Sequence, residues 1–272
     1  MASGMLKRRL AFPLHAGRCF RAGAVIAASA VALAAGSLPA SAATISPYSS
    51  STYGYDISSP QCPGTTAPVP PTNITYVFAI IGLTGGRPFQ PNTCASNETA
   101  TATNSGITNI AYYFNTGYSG AYAKSILSLC ASEATSGSDP ADGVLAGLEG
   151  HALKADQQAW EIGCSEALYA ENNAPATPTM WWADVETGNS WSTNTTLNDF
   201  TLDGISYQMQ TNGAIGGFYS YSSAWTKIAE SGFVPTPAEN GNWIAGSANF
   251  NSATPYLNQL GTANGVDYDI AP

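Results

Sequence analysis

The sequence predicts one α/β domain folded as a closed, TIM-like (β/α) barrel, and three observations carry that expectation. From residue 43 to residue 272, apolar runs of strand length alternate with segments of helical periodicity. No linker divides that alternation: the proline-rich PGTTAPVPPTN (63–73) lies between two candidate strands that need each other, so it reads as an internal loop. With 44% hydrophobic residues, the chain can bury one large core.

The elements follow in order. Strands are expected at YGYDIS (53–58), YVFAIIG (76–82), NIAYYFN (109–115), TMWWADVE (179–186), AIGGFYSY (214–221), NWIAG (242–246) and VDYDIA (266–271). The clearest helix runs from Leu148 to Asn172, where Leu153, Trp160, Cys164 and Leu168 recur near every third or fourth position and no proline intervenes. Further helices are expected over Ala121–Ser132, Leu197–Thr211 and Ser223–Ser231. The Ser/Thr-rich residues 43–52 read as a flexible leader to a barrel domain over 53–272.

Residues 1–42 are of another kind. Lys7, Arg8, Arg9, Arg18 and Arg21 precede the apolar run Ala22–Gly36, and small residues, Ala40–Ala42, close it. That pattern predicts a cleaved secretory signal, hence an extracellular protein. The run falls short of the roughly 20 residues a membrane helix needs, and no later segment reaches that length. Without the signal, four basic residues face 18 acidic ones, a formal charge of −14. Nucleic acid is therefore excluded as a partner.

Export also frames the cysteines. Cys62, Cys94, Cys130 and Cys164 remain after the signal, an even number suited to two disulfides in an oxidising compartment. Four cysteines permit three pairings, of which Cys62 with Cys94 and Cys130 with Cys164 encloses the shorter loops and is the one expected. No CxxC occurs and His151 is the only histidine past the signal, so no metal site or cofactor is expected.

The candidate site is MWWADVETGNSW (180–191), the most aromatic stretch of the chain, which also holds two acids. Side chains alternate along a strand, so Trp182, Asp184 and Glu186 share one face while Trp181, Ala183 and Val185 take the other. The two acids' Cα atoms would lie about 6.6 to 7 Å apart, close enough for each carboxyl to perturb the other. At the carboxyl end of a barrel strand they would stand where barrel enzymes place their chemistry, with tryptophan faces on which a sugar ring can rest. The plainer alternative makes Asp184 a turn cap and Glu186 a solvated surface acid. Asp56 ends the first strand, and Asp267 and Asp269 lie on the last, which neighbours the first in a closed barrel, so these acids could join the pair.

Five motifs now stand in order: GYDISSPQ (54–61), WWADVE (181–186), GGFYSYSSAW (216–225), NWIAG (242–246) and GVDYDIA (265–271). Together they resemble glycoside hydrolase family 25, the lysozymes of bacterial muramidase type, in a secreted, disulfide-bearing, glycoside-hydrolase-like branch. The resemblance implies a flattened barrel, with room for irregularity in its last strands, that hydrolyses β-1,4 bonds of peptidoglycan or a related N-acetylated cell-wall glycan. It implies Glu186 as general acid, with Asp184 and Asp56 as supporting catalytic carboxylates. Trp182, Trp191, Tyr219, Tyr221, Trp243, Asp267 and Asp269 are expected to bind the polysaccharide, although the tyrosines fit the core equally well. One departure stands out: where the family's second strand ends in a lysine and an acid, FAIIGLTGGRPF (78–89) supplies glycines and Arg87. Two classes therefore stay open, a monomeric secreted glycosidase and a catalytically silent glycan-binding barrel.

Overall fold

The computed structural model describes residues 45–272 apart from 63–65, 136–139 and 147. The signal segment expected at 1–42 lies outside the described residues.

Eight strands close a barrel in sequence order: β1 Tyr53–Ile57, β2 Tyr76–Gly82, β3 Asn109–Asn115, β4 Trp181–Asp184, β5 Gly216–Ser220, β6 Gly241–Ala245, β7 Pro255–Ala263 and β8 Val266–Ile270. Neighbours from β1 to β7 run parallel. β8 is antiparallel to both β7 and β1 and completes the closure. Among the described residues, six α-helices fill the connections: α1 Ala95–Asn104, α2 Ser128–Glu133, α3 Pro140–Leu145, α4 Gly150–Asn173, α5 Thr195–Met209 and α6 Ser222–Ile228. None of those described is long and apolar enough to cross a membrane.

Strand alternation sorts the core into layers. Tyr55, Ile81, Tyr112, Phe114, Trp181, Ala183 and Phe218 face outward and pack under the helices with Leu202, Ile205 and Trp225. Inward, Phe78, Ile80, Ala111, Met180, Trp182, Trp243 and Leu257 fill the barrel itself. Such a filled interior leaves chemistry to the rim. Gly217 makes this filling possible, because a Cβ there would come within 2.5 Å of the Trp182 ring.

Several expectations are revised. β7 forms where no strand was expected, and the Asn264-Gly265 turn joins it to β8, with φ of 54° and 83° at those two residues. Positive φ at both central positions suits the tight hairpin turn that Asn-Gly favours. α1 also went unforeseen, its sequence ASNETATATN being poor in strong helix formers. The single helix expected over 121–132 is a 3-10 segment, Gly120–Ser125, followed by α2. Nor is the leader free along its length: Tyr48 is buried at the amino-terminal end of the barrel, where its hydroxyl accepts a 3.0 Å hydrogen bond from Trp182 Nε1. Backbone bonds Ser51 to Ala271 and Ala271 to Thr52 secure the same segment.

Both disulfides take the sequential pairing, Cys62–Cys94 and Cys130–Cys164, with Cα separations of 5.9 and 5.7 Å. The first ties the β1–β2 loop to the start of α1, and the second ties α2 to α4. Closing loops of this size removes on the order of 3 to 4 kcal/mol of unfolded-chain entropy in the chain model.

Candidate active site

The carboxyl ends of the parallel strands gather one group of acids. Register places Asn115 beside Asp184, Asp184 beside Tyr219, and Tyr219 beside Trp243, so four neighbouring strands present these residues at one level. Across the barrel, antiparallel β8 sets Asp267 opposite Asp56 and Asp269 opposite Gly54, one layer deeper. A cavity of about 150 Å³ opens between them, lined by Asp56, Tyr113, Asp184, Glu186, Tyr219, Trp243, Gln259 and Asp267. Larger grooves exist, including one of about 610 Å³ beside Tyr221, Lys227 and Ala245, but no acids converge in it. Chemistry, not volume, therefore selects the smaller cavity.

Each acid is held differently. Asp184 is 4% exposed, and its Oδ2 accepts from Asn115 Nδ2 in a very short bond while Oδ1 has no partner. Thr84 orients that amide, its hydroxyl donating to Asn115 Oδ1 at 2.9 Å and accepting from the Asn115 backbone N–H at 2.7 Å. Glu186, two residues past β4's chemistry-bearing end, is only half-buried and stands at the rim. On the opposite side, Tyr219 Oη donates to Gln259 Oε1 at 2.9 Å, and Gln259 Nε2 donates to Asp56 Oδ2 at 3.1 Å. Trp243 Nε1 donates to Asp269 Oδ1 at 2.8 Å. The other Asp269 oxygen meets no N–H donor, yet Asp56 lies within hydrogen-bonding reach of this carboxyl.

Burial dominates the electrostatics, since no cationic side chain lines the cavity. It pushes Asp184 well above the ordinary carboxylate range, with the nearby Glu186 charge adding to the effect and the Asn115 bond opposing it. Glu186 is raised by burial. Asp56 is pushed up to about 7 by burial and then by Asp267, and Asp269 is raised well above its ordinary value by burial and then by Asp56. Burial therefore raises both acids of the pair, and the Glu186 charge adds to the rise of the deeper Asp184.

The predicted site residues thus divide. Asp56, Asp184, Glu186, Tyr219, Trp243 and Asp267 meet at one cavity, with Asp269 beneath them. Trp182 does not reach it: the side chain is fully buried in the barrel core and bonds Tyr48 at the opposite end. Trp191 packs against the outer layer, its Nε1 donating to the Glu186 carbonyl at 3.0 Å, so it braces the rim. Tyr221 faces outward, its hydroxyl 3.0 Å from Thr187 Oγ1, and lines the larger groove instead. Tyr113, Asn115, Thr84 and Gln259 were not singled out from sequence. Tyr113 is level with the mouth because Gly82, at the end of β2, leaves room for its ring: a Cβ at 82 would lie 2.8 Å from it. That is the close approach the glycines in FAIIGLTGGRPF allow. Among the described residues, no group of three or more His, Cys, Asp or Glu has the arrangement to hold a metal ion.

No family model matches the chain, and no curated protein is significantly similar to it in sequence. Solved structures do share its shape. The multimodular pneumococcal cell wall endolysin from phage Cp-1, complexed with choline, superposes with a TM-score of 0.52 at 16% identity, covering 82% of this chain and 55% of that one. A mutant of the modular Cpl-1 endolysin complexed with a peptidoglycan analogue superposes with a TM-score of 0.51 at 15% identity, covering 82% and 54%. A glycosyl hydrolase 25 of Streptococcus pneumoniae is also found, at 12% identity and a TM-score of 0.49 over 81% of this chain and 87% of that one, a likeness too slight to argue from. This chain spans about half the length of the endolysins. What it has in common with them, at these identities, is the barrel fold.

Proposed function

We propose that this protein is a secreted glycoside hydrolase that cleaves β-1,4 bonds of peptidoglycan or a related cell-wall glycan by carboxylate acid catalysis. The observation that carries the reading is the Asp184–Glu186 pair at the end of β4, one acid buried and one at the rim, with Asp56 and Asp269 facing them. The shared fold with endolysins, one of them bound to a peptidoglycan analogue, supports the choice of substrate. So do the five family motifs, whose acids Asp56, Asp184, Glu186 and Asp267 line the one cavity with Asp269 beneath them.

The chemistry follows from the difference in depth. Glycoside cleavage needs one carboxyl that donates a proton to the leaving oxygen and one negative group beside the oxocarbenium-like centre. Asp184 and Glu186 titrate together, so the working form is the pair holding one proton. With no positive charge nearby, that proton belongs on buried Asp184. An oxocarbenium-like centre forming beside Asp184 reverses the preference, because it stabilises negative charge there. The proton then resides on Glu186, whose half-exposed carboxyl is the one placed to donate outward. Asp56 and Asp269 complete the negative wall on the far side of the cavity.

The cavity's volume, about 150 Å³, falls below the roughly 300 Å³ of ordinary ligand pockets, so it would take one unit of a glycan whose remainder runs across the surface. Turbidity loss of purified cell walls, with released reducing ends counted, tests the reading. Glu186→Gln should lower turnover at least about a hundredfold while oligosaccharide binding persists. Wild-type hydrolysis by a folded Glu186→Gln protein would refute the assignment of the acid. A wild type inert on cell walls and on chitin oligomers from pH 4 to 7 would leave a glycan-binding barrel.

A further inference from the structure

We propose that a second pocket beside the catalytic mouth, between the β1–β2 loop, α1 and the β7–β8 hairpin, is an accessory carbohydrate site that takes one neutral sugar unit. The identity of that sugar, a unit of the cell-wall glycan, rests on the glycosidase reading.

The pocket holds about 290 Å³, close to the roughly 300 Å³ at which ordinary ligand sites begin. It stands back to back with the catalytic cavity. Ile57 and Val266 line it, whereas their strand neighbours Asp56 and Asp267, paired across β1 and β8, line the cavity. Side chains alternate along a strand, so one two-stranded wall serves both. The sides of the pocket are fastened to one another. Cys62–Cys94 ties the β1–β2 loop to α1, Asn264 Nδ2 on the hairpin donates to the Val69 carbonyl at 3.0 Å, and Gln61 Nε2 on the loop donates to the Gly265 carbonyl at 3.4 Å. A site built this way is formed before its ligand arrives, which lowers the cost of binding.

One buried acid marks it as a ligand site. Glu98 on α1 lines the pocket and is 2% exposed; its Oε2 accepts from Asn92 Nδ2 at 2.8 Å, while Oε1 has no partner. The Tyr55 hydroxyl is near enough to feel the Glu98 charge but is itself unpartnered, so it does not satisfy that oxygen. Unpaired buried oxygens are uncommon and call for an explanation. A ligand hydroxyl supplies one. It both donates and accepts, so it meets Oε1 whether or not this carboxyl, raised by burial, holds a proton. The rest of the lining suits the rest of a sugar: Thr66 and Thr101 add hydroxyls, while Pro60 and Pro68 add apolar surface for the C–H face of a ring. Among the described residues lining the pocket, Glu98 is the only ionisable one, so no cation is there to hold an anionic ligand.

Amide NMR spectra of the isotope-labelled protein, titrated with the N-acetylglucosamine dimer, test the site. The Glu98 and Gly265 resonances should shift saturably, alongside the Trp243 indole resonance of the catalytic cavity. Thr101→Phe, which fills the pocket from a partly exposed helix position, should abolish the first two shifts and spare that of Trp243. Should this variant fail to fold, Thr101→Val keeps the shape, loses the hydroxyl and should weaken the pocket's affinity about two- to tenfold, the range for one neutral hydrogen bond. No shift at Glu98 and Gly265, shifts unchanged in Thr101→Phe, an affinity unchanged in Thr101→Val, or equal shifts with glycerol would overturn the proposal. So would shifts with ethanolamine alone, which would mark a site for amines. Reducing ends released from purified cell walls separate the proposal from the reading beneath it. Release without shifts at Glu98 and Gly265 refutes the accessory site and keeps the glycosidase, whereas those shifts in a protein that releases nothing refute the glycosidase and keep the site.

Discussion

Replacing Asp56 by Asn should make the protein more stable at pH 8 while disabling it, and the size of the gain follows from the site. Asp56 is held at about 7 against an ordinary 3.8, first by burial and then by Asp267. A carboxyl raised in the folded state contributes stability that is fully present below its unfolded value, near 4, and is lost as pH climbs through its folded value, near 7. At about 1.4 kcal/mol per pH unit, that interval corresponds to at most about 4 kcal/mol, and the side chain's partial exposure trims it to about 2 to 4. Asparagine escapes the loss because it never ionises. It also keeps the local bonds, since its oxygen can accept from Gln259 Nε2 where Asp56 Oδ2 does now, and its amide can donate toward Asp269. Urea unfolding of both proteins, disulfides intact, should give nearly equal stabilities at pH 4 and a lead of about 2 to 4 kcal/mol for Asp56→Asn at pH 8. Cell-wall turnover by the variant should fall steeply over the same range. A stability difference that stays constant with pH, or that favours the wild type at pH 8, would show that Asp56 is not strained by burial among like charges.

Three further outcomes follow from the same geometry. Asn115→Ala removes the bond that restrains the rise of Asp184, so the alkaline limb of kcat/KM should move to higher pH and kcat should drop about tenfold; an unshifted limb would disprove the link. Tyr48→Phe leaves the Trp182 N–H without its acceptor in the barrel core and should cost about 1 to 3 kcal/mol in urea unfolding, with glycan affinity unchanged. Tryptophan fluorescence should still respond to glycan in Trp182→Phe but lose most of its response in Trp243→Phe, because only Trp243 of the two lines the cavity; the reverse pattern would relocate the site.

How much was legible beforehand can be judged residue by residue. Alternation along WWADVE correctly put Trp182, Asp184 and Glu186 on one face, but a face has depth as well as direction. Trp182 lies two residues earlier on the strand, which in a filled barrel is the difference between core and mouth. Tyr221 illustrates the converse: two residues past Tyr219 it lies beyond β5, where strand alternation no longer governs, and it turns outward. Strand β7 was obscured by its polar half, NQLGTA, yet Asn264-Gly265 was a hairpin signal in plain view. Missing that strand meant missing Gln259, the residue that connects Tyr219 to Asp56.

From its sequence alone, this protein's alternation of strand and helix, its two disulfides and the faces of its acids could be read, because period, cysteine number and strand geometry are local properties. Tertiary structure decided the rest. Only closure of the barrel, with β8 reversed against β1, brings Asp56 and Asp269 close enough for each to act on the other's ionisation. Only the register of β3 on β4 gives Asp184 the Asn115 amide on one oxygen and nothing on the other. The proton affinity of a carboxyl depends on how much water it has lost and which charges surround it. Both are set by strands far apart in the chain, so no local pattern could have announced that burial raises Asp184 well above the ordinary carboxylate range.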